Sequence, residues 1–273
     1  MNADDFGLDL EINRGIDEAC LGGMVRSVSL LATGKAFEDA VGRLRRMPRV
    51  GVGIHLCLVA ERSVLPAQKI QSLVDEQGRF PSAYRNFLVR LWTRRIRPED
   101  IAIELDAQFR KFLDHGIHPT HVDSHQYIHL VPAVSTTVIE LSKKYGVKWI
   151  RYPSRPERFF PRSLRAAAKM MGLALFSRSQ TRRIRGFGIR VPDNSLGFLE
   201  SGRLDAGKMR VLLDRMICGV NDLTVHPGYC PQEREYAAWN YHWETELAVL
   251  KDESTMRLAR EMRIRIGNYA EQS

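Results

Sequence analysis

THVDSHQYIHL, residues 120–130, reads as a short extended run that ends in a loop. Residues two apart on a strand share a face, so His121, Asp123 and His125 point the same way there. Ahead of it, residues 98–116 carry Ile101, Leu105, Phe109 and Phe112 in helical register. Behind it, Pro132 opens a second helix that runs to Tyr145-Gly146, and VKWIRYP (147–153) follows as a strand. A strand held between two amphipathic helices is the repeating unit of a parallel sheet with crossover helices.

The unit recurs along the chain. LDLEINRGIDEACLGG (8–23) predicts a helix with Asp9 as N-cap and Gly22-Gly23 as its stop. SVSLLATG (27–34) predicts a buried strand, residues 35–48 a helix ended by Pro48, and RVGVGIHLCLV (49–59) a strand rich in β-branched residues. Residues 206–218 read as helix, DLTVHPGY (222–229) as strand and loop, 244–262 as one helix, and RIRIGNY (263–269) as a last strand. The fold class that follows is α/β, a distorted (β/α) barrel of parallel strands. It forms one domain over 1–273, with insertions at about 60–97 (a candidate lid) and an irregular basic insertion at 154–200. In such barrels the chemistry collects at the carboxyl ends of the strands.

Composition is that of an ordinary soluble globular protein, 44% hydrophobic and 27% charged. No apolar run approaches a membrane span and no signal-peptide pattern opens the chain. Cys20, Cys57, Cys218 and Cys230 show no metal-ribbon or CxxC spacing, so buried free thiols in a reducing cytoplasm are expected. The net charge is +9, and residues 151–190 alone hold eleven basic residues against one acidic, Glu157. Within that run Leu164, Ala168, Met171, Leu175 and Phe176 share a helical face. Two readings stand beside each other: a core-packed helix with a solvated basic side, or peripheral contact with an anionic membrane at its inner face. Nucleic acid is not an expected partner, since aromatics are sparse and no binding module is present. A homodimer stays open.

The polar residues fall at strand ends. Asp4 and Asp5 stand side by side in MNADDFG, His55 interrupts the apolar GVGIHLCLV, and His226 closes DLTVH. Each has a plain structural explanation: a polar turn for the aspartates, a hydrogen-bonded core histidine for His55, a turn for His226. Together they suggest one cavity. A carboxylate with two imidazoles suits a divalent metal and leaves positions open for water and substrate. Adjacent aspartates could then divide the labour, one as ligand and one as base, provided the strand ends and turns there. Gly7 permits that turn.

Taken in order, NADDFG (2–7), GIHLCL (53–58), THVDSHQYIH (120–129) and VHPGY (225–229) resemble the YdjC-like carbohydrate deacetylase family, which includes chitooligosaccharide deacetylases and hopanoid-associated HpnK proteins. The likeness runs the length of the chain, and VAERSVLPAQKIQSLVDEQGRF (59–80) is similar to the HpnK-type branch. The resemblance implies a distorted (β/α) barrel, one divalent metal (Mg²⁺, Zn²⁺, Ni²⁺ and Co²⁺ not being distinguished), and hydrolysis of the acetamide of an N-acetylated sugar, oligosaccharide or lipid-linked. By motif position it implies Asp5, His55 and His125 as ligands, Asp4 as general base, and His226 as general acid or substrate-positioning residue. Asp123, His121 and His129 become supporting groups. Tyr127 stands where many relatives carry a third histidine, and the resemblance implies a substrate-binding or supporting position there. Relatives also carry an apolar strand ahead of NADDFG, and the expectation is a natural chain that starts a few residues earlier. Two rival readings remain at this stage: a mononuclear iron oxygenase with a two-His-one-carboxylate site, and a non-catalytic metal-stabilised protein binding a membrane surface.

Overall fold

The computed structural model describes residues 1–153 and 177–272. Six strands, all parallel, form one curled sheet in the order β4-β3-β2-β1-β6-β5. They are β1 (Asn2–Phe6), β2 (Ser27–Leu30), β3 (Gly51–Leu56), β4 (Val122–Ser124), β5 (Asn194–Leu196) and β6 (Asn221–Val225). Helices connect them, as the alternation predicts. The first strand is central and pairs on both sides, Asn2 with Ser27 and with Thr224. Asp4 and Asp5 therefore hang from a tethered strand.

The helix Leu10–Gly22 starts at Asp9, whose carboxylate accepts from Glu11 N at 2.8 Å. Pro98 opens the helix Pro98–Asp114, and its Ile101, Leu105, Phe109 and Phe112 are buried. Burial of each such side chain contributes about 1.5–3 kcal/mol. Buried Asn13 fixes the loop after β1: its Oδ1 accepts from Gly7 N at 2.6 Å, and its Nδ2 donates to Ala36 O at 3.0 Å.

VKWIRYP does not form a ladder. It makes single parallel bridges, Val122 with Ile150 and Trp149 with Arg190, and Pro153 has no N–H to extend them. These bridges still matter. Residues 190–196 meet Trp149 at one end and β6 at the other, so they join the two edges of the sheet. The barrel closes, irregularly, through them.

Two further expectations are corrected. The helix expected over 244–262 is two, Trp243–Lys251 and Glu253–Glu261. Asp252 between them is extended and caps the second by accepting from Thr255 N at 2.8 Å. RIRIGNY forms no strand. Arg263 takes a φ of +57°, and Asn268 Oδ1 accepts from Ala270 N and Glu271 N, opening the 3-10 turn Tyr269–Gln272. Ile264 and Ile266 use their alternation to pack on the core without strand pairing.

Residues 60–97 hold the helix Tyr84–Trp92, and Ile70, Leu73, Phe80, Phe87 and Ile96 anchor the segment in the core. Of the thiols, Cys20 and Cys57 are buried, whereas Cys218 and Cys230 are exposed, which corrects the expectation of four buried ones. The apolar face expected across Leu164–Phe176 lies outside the described residues, as do all of residues 154–176 of the basic insertion. Among the described residues no helix is long and apolar enough to cross a membrane.

Candidate metal centre

Parallel strands bring their carboxyl ends to one side, and the predicted residues meet there. Between Ala3 and Phe6 of β1 the register shifts against β2, where Val28 and Leu30 are the partners. Three steps on one strand face two on the other, which is a bulge. Its conformational cost falls on Asp5, whose φ is +65°, and Gly7 follows at +91°. Asp tolerates the left-handed region better than most residues. The turn that lets both carboxylates reach one site is thus made at Asp5 as well as at Gly7.

His55 lies near the end of β3. Its Nδ1 is 2.7 Å from Asp123 Oδ1, and its Nε2 is 3.4 Å from Asp5 Oδ1. His125 follows β4, with Nδ1 2.9 Å from the same Asp5 oxygen and Nε2 buried without a hydrogen-bond partner among the described residues. Its ring stacks on Trp239 at 5.4 Å. Burial drives the Asp5 carboxyl up, but His125 and His55 outweigh it and hold the group well below the usual carboxylate range. Burial likewise pulls His55 down, yet Asp123, Asp4 and Asp5 push it up to about 10.

The orphaned His125 nitrogen, and a His55 that carries a proton only because carboxylates surround it, fit a cation seated among Asp5, His55 and His125. One donor atom from each lies within 4.8 Å of the others. Asp4, His55 and Asp123 meet the same distance test. That second set is already engaged, because Asp4 and Asp123 are bound by a buried arginine.

The arginine is Arg151. Nη1 and Nη2 donate to Asp4 Oδ2 and Oδ1 at 2.7 and 2.9 Å. Nη1 also lies 2.9 Å from Asp123 Oδ2, and Nε lies 2.8 Å from Asp222 Oδ2 without hydrogen-bond geometry. Burial opposes the charge on Arg151, but Asp123, Asp222 and Asp4 keep its pKa well above the usual value. Asn2 Nδ2 adds a further bond to Asp4 Oδ1 at 2.8 Å. Sequence reading placed Arg151 in a surface patch. The missed signal was an excess of strand-borne aspartates, Asp4, Asp123 and Asp222, which cannot be buried unpaired.

His226 follows β6 and is 7% exposed. Its N–H donates to Glu246 Oε2 at 2.6 Å, its ring meets Tyr241 edge-on at 5.4 Å, and its Nδ1 is buried without a partner among the described residues. Tyr127 and Gln126 both take positive φ, +55° and +51°, just beyond His125. Tyr127 packs edge-on against Phe198 at 4.7 Å.

His121 and His129 support the site from behind. The His121 ring stacks on Tyr269 at 4.1 Å, with Nε2 3.2 Å from Ser29 Oγ. Gly53 makes room for it, since a Cβ there would meet the ring at 2.2 Å. Burial pulls His121 down to about 3 and His129 to about 4. His129 bridges Ser124 Oγ and the carbonyl of Arg151, tying the loop after β4 to the arginine. Glu61, hydrogen-bonded by Tyr236 OH at 3.0 Å, and the aromatic pair Trp239 and Tyr241 also border the site. They come from segments without a periodic signal, and sequence reading missed them.

Comparison with known proteins points to one family. The family described as YdjC-like protein matches residues 1–261. A carbohydrate deacetylase of Brevibacillus brevis is 39% identical over 153 residues, 56% of this chain and 58% of that protein. A chitooligosaccharide deacetylase of Enterobacter sp. is 34% identical over 154 residues, covering 54% and 56%. These alignments span little more than half of the curated relatives' length. A carbohydrate deacetylase of Thermoanaerobacter pseudethanolicus aligns over 99% of this chain and 97% of its own at 25% identity. Among solved structures, a protein of Enterococcus faecalis V583 described as a candidate for cellobiose-phosphate cleavage superposes with a TM-score of 0.78 at 25% identity, covering 99% of this chain and 96% of that one.

Proposed function

The chain belongs to the YdjC-like family, and from that premise we propose that it is a metal-dependent hydrolase that removes the N-acetyl group from an N-acetylated sugar and releases acetate. The observation that carries this reading is the convergence of Asp5, His55 and His125, with Asp4 beside His55 and suited to move a proton. The names of the relatives supply the substrate class. Oligosaccharide and lipid-linked sugars both fall within it.

Asp5, His55 and His125 would hold the ion, with Asp123 orienting His55 through Nδ1. A divalent ion bound there supplies Lewis-acid polarisation of the acetyl carbonyl and acidifies water. Asp4 accepts the proton of the attacking water as oxygen adds to the carbonyl carbon. Asp4 Oδ2 retains an acceptor site beyond its bond to Arg151, whereas Oδ1 is filled by Arg151 and Asn2. Those bonds fix the carboxylate so that no reorientation precedes proton transfer. As the C–N bond breaks, His226 donates a proton to the departing nitrogen, and acetate and a free amine remain. Trp239 and Tyr241 exclude bulk water from the histidines.

The test is acetate release from N-acetylglucosamine oligomers, with and without chelator. Asp4→Asn should keep the metal and lose roughly 10²–10⁴ of turnover. Near-wild-type activity in that variant would remove Asp4 from the role of base.

A further inference from the structure

Away from the strand ends, the helix Tyr84–Trp92 and the turn after it carry a surface that the proposed reaction does not use. Trp92 is 90% exposed and Val89 51%. Arg85, Val89 and Trp92 lie four and then three residues apart, so they form one outward stripe. The opposite side is seated: Phe87 is fully buried, and Ile96 anchors the following turn. Residues 84–97 hold five arginines (Arg85, Arg90, Arg94, Arg95 and Arg97) and no acidic residue. Arg90 and Arg97 are occupied, by Ser72 O and by Asp100. Arg85, Arg94 and Arg95 are exposed and have no ion-pair partner among the described residues.

We propose that this helix docks on an anionic lipid bilayer, with Trp92 and Val89 inserted at the headgroup boundary and Arg85, Arg94 and Arg95 on the lipid charges. An indole standing free in water has no structural function here, because the helix is already fixed by Phe87. Trp is suited to the membrane–water boundary, where its apolar body and polar N–H are both satisfied. The uncompensated arginines match the negative potential of such a surface, each contributing about fivefold to binding. Two apolar side chains on one short convex stripe are too small for a stable protein interface, which buries over about 1,000 Å². They suffice for reversible membrane contact when basic residues assist.

The surface is also coupled to the site. Gln126 Oε1, between His125 and Tyr127, accepts from Tyr84 N at 3.2 Å. Docking would hold the loop beside His125 close to the bilayer, where a sugar carried on a lipid would be presented. The docking itself stands independently of the deacetylase reading, and its assay involves no catalysis.

The experiment is co-sedimentation of the full chain with vesicles of phosphatidylcholine alone and of phosphatidylcholine with phosphatidylglycerol, at low and at physiological salt. Brominated lipids report on insertion of Trp92. The expected result is binding to anionic vesicles alone, weakening with salt, with tryptophan emission quenched. Trp92→Ala should abolish the bromine-sensitive part of the emission. Arg94→Glu with Arg95→Glu should weaken binding by more than tenfold. Circular dichroism should be unchanged in both variants, since the substituted side chains are exposed. Equal sedimentation of wild type and variants would overturn the proposal. So would Trp92 emission that stays unquenched, or a concentration-dependent dimer that shields Trp92 without lipid.

Discussion

Arg151 grips Asp4 with both terminal nitrogens, at 2.7 and 2.9 Å, and both side chains are sealed from solvent. The same guanidinium touches Asp123, which in turn orients His55. One cation therefore sets the geometry of the proposed base and of a proposed ligand. Removing it would strand Asp4, Asp123 and Asp222 in a low-dielectric interior. Arg151→Met is expected to cost at least about 3 kcal/mol, the range for breaking a buried pair from one side. Urea denaturation would measure it. Arg151→Lys returns the charge without the planar fork, so it should recover part of the stability while kcat stays low and KM changes little. A methionine variant with an unchanged urea midpoint would show that the carboxylates need no cation.

In metal-free protein His55 should make stability fall at alkaline pH. Burial lowers its pKa, but Asp123, Asp4 and Asp5 raise it to about 10 from an ordinary 6.5. A raised folded value favours folding fully below 6.5, and the benefit is lost as pH climbs through about 10. A ligand histidine must be neutral, so metal uptake should release a proton and strengthen over the same range. Thermal unfolding in chelator between pH 6 and 10 tests the first expectation, and calorimetry in two buffers of different ionisation enthalpy tests the second. A melting temperature flat from pH 7 to 10 would contradict the charge balance inferred for the site.

Much of this centre was legible in the residues. Asp4, Asp5, His55, His125 and His226 each interrupt an apolar strand end, and polar groups in such places need a reason to be there. The strand–helix alternation gave the fold because periodicity survives without knowledge of partners. Arg151 was hidden for the opposite reason. It opens a run of eleven basic residues, and local charge density points to a surface. Its true partners come from β1, β4 and β6, so only the tertiary structure identifies it. Asp252 shows a related limit: the apolar spacing on either side of it is continuous, and the break comes from a single carboxylate that prefers to cap. Trp239 and Tyr241 had no pattern around them at all.

Acid should unfold the protein through histidines before it protonates the carboxylates. Burial lowers His121 to about 3 and His129 to about 4, opposed by Asp123 and by the Arg151 carbonyl. A depressed folded value means stability that is complete above 6.5 and lost as pH falls toward those values, since the unfolded chain takes up the protons first. The Asp5 and Asp123 carboxyls are held below their ordinary 3.8, so they contribute only at lower pH. Melting temperature should therefore drop already between pH 6.5 and 4. Stability constant down to pH 4 would mean that these rings are accessible to protons in the native state.

Asp5 carries two burdens that can be separated. Its φ of +65° makes the bulge, and its Oδ1 lies within reach of both His55 and His125. Asn tolerates the left-handed region about as well as Asp, whereas a β-branched residue does not. Asp5→Asn is thus expected to keep the backbone and remove the anionic donor. It should fold, melt within about 5 °C of the parent, and lose most of its bound metal on dialysis. Asp5→Val removes the donor and also forces the strand out of its bulge, at a cost of about 1–3 kcal/mol. Metal content by plasma emission and melting by circular dichroism, measured on both variants, separate the two roles. Full metal occupancy in Asp5→Asn would take Asp5 out of the ligand set and leave its conformation as its only task.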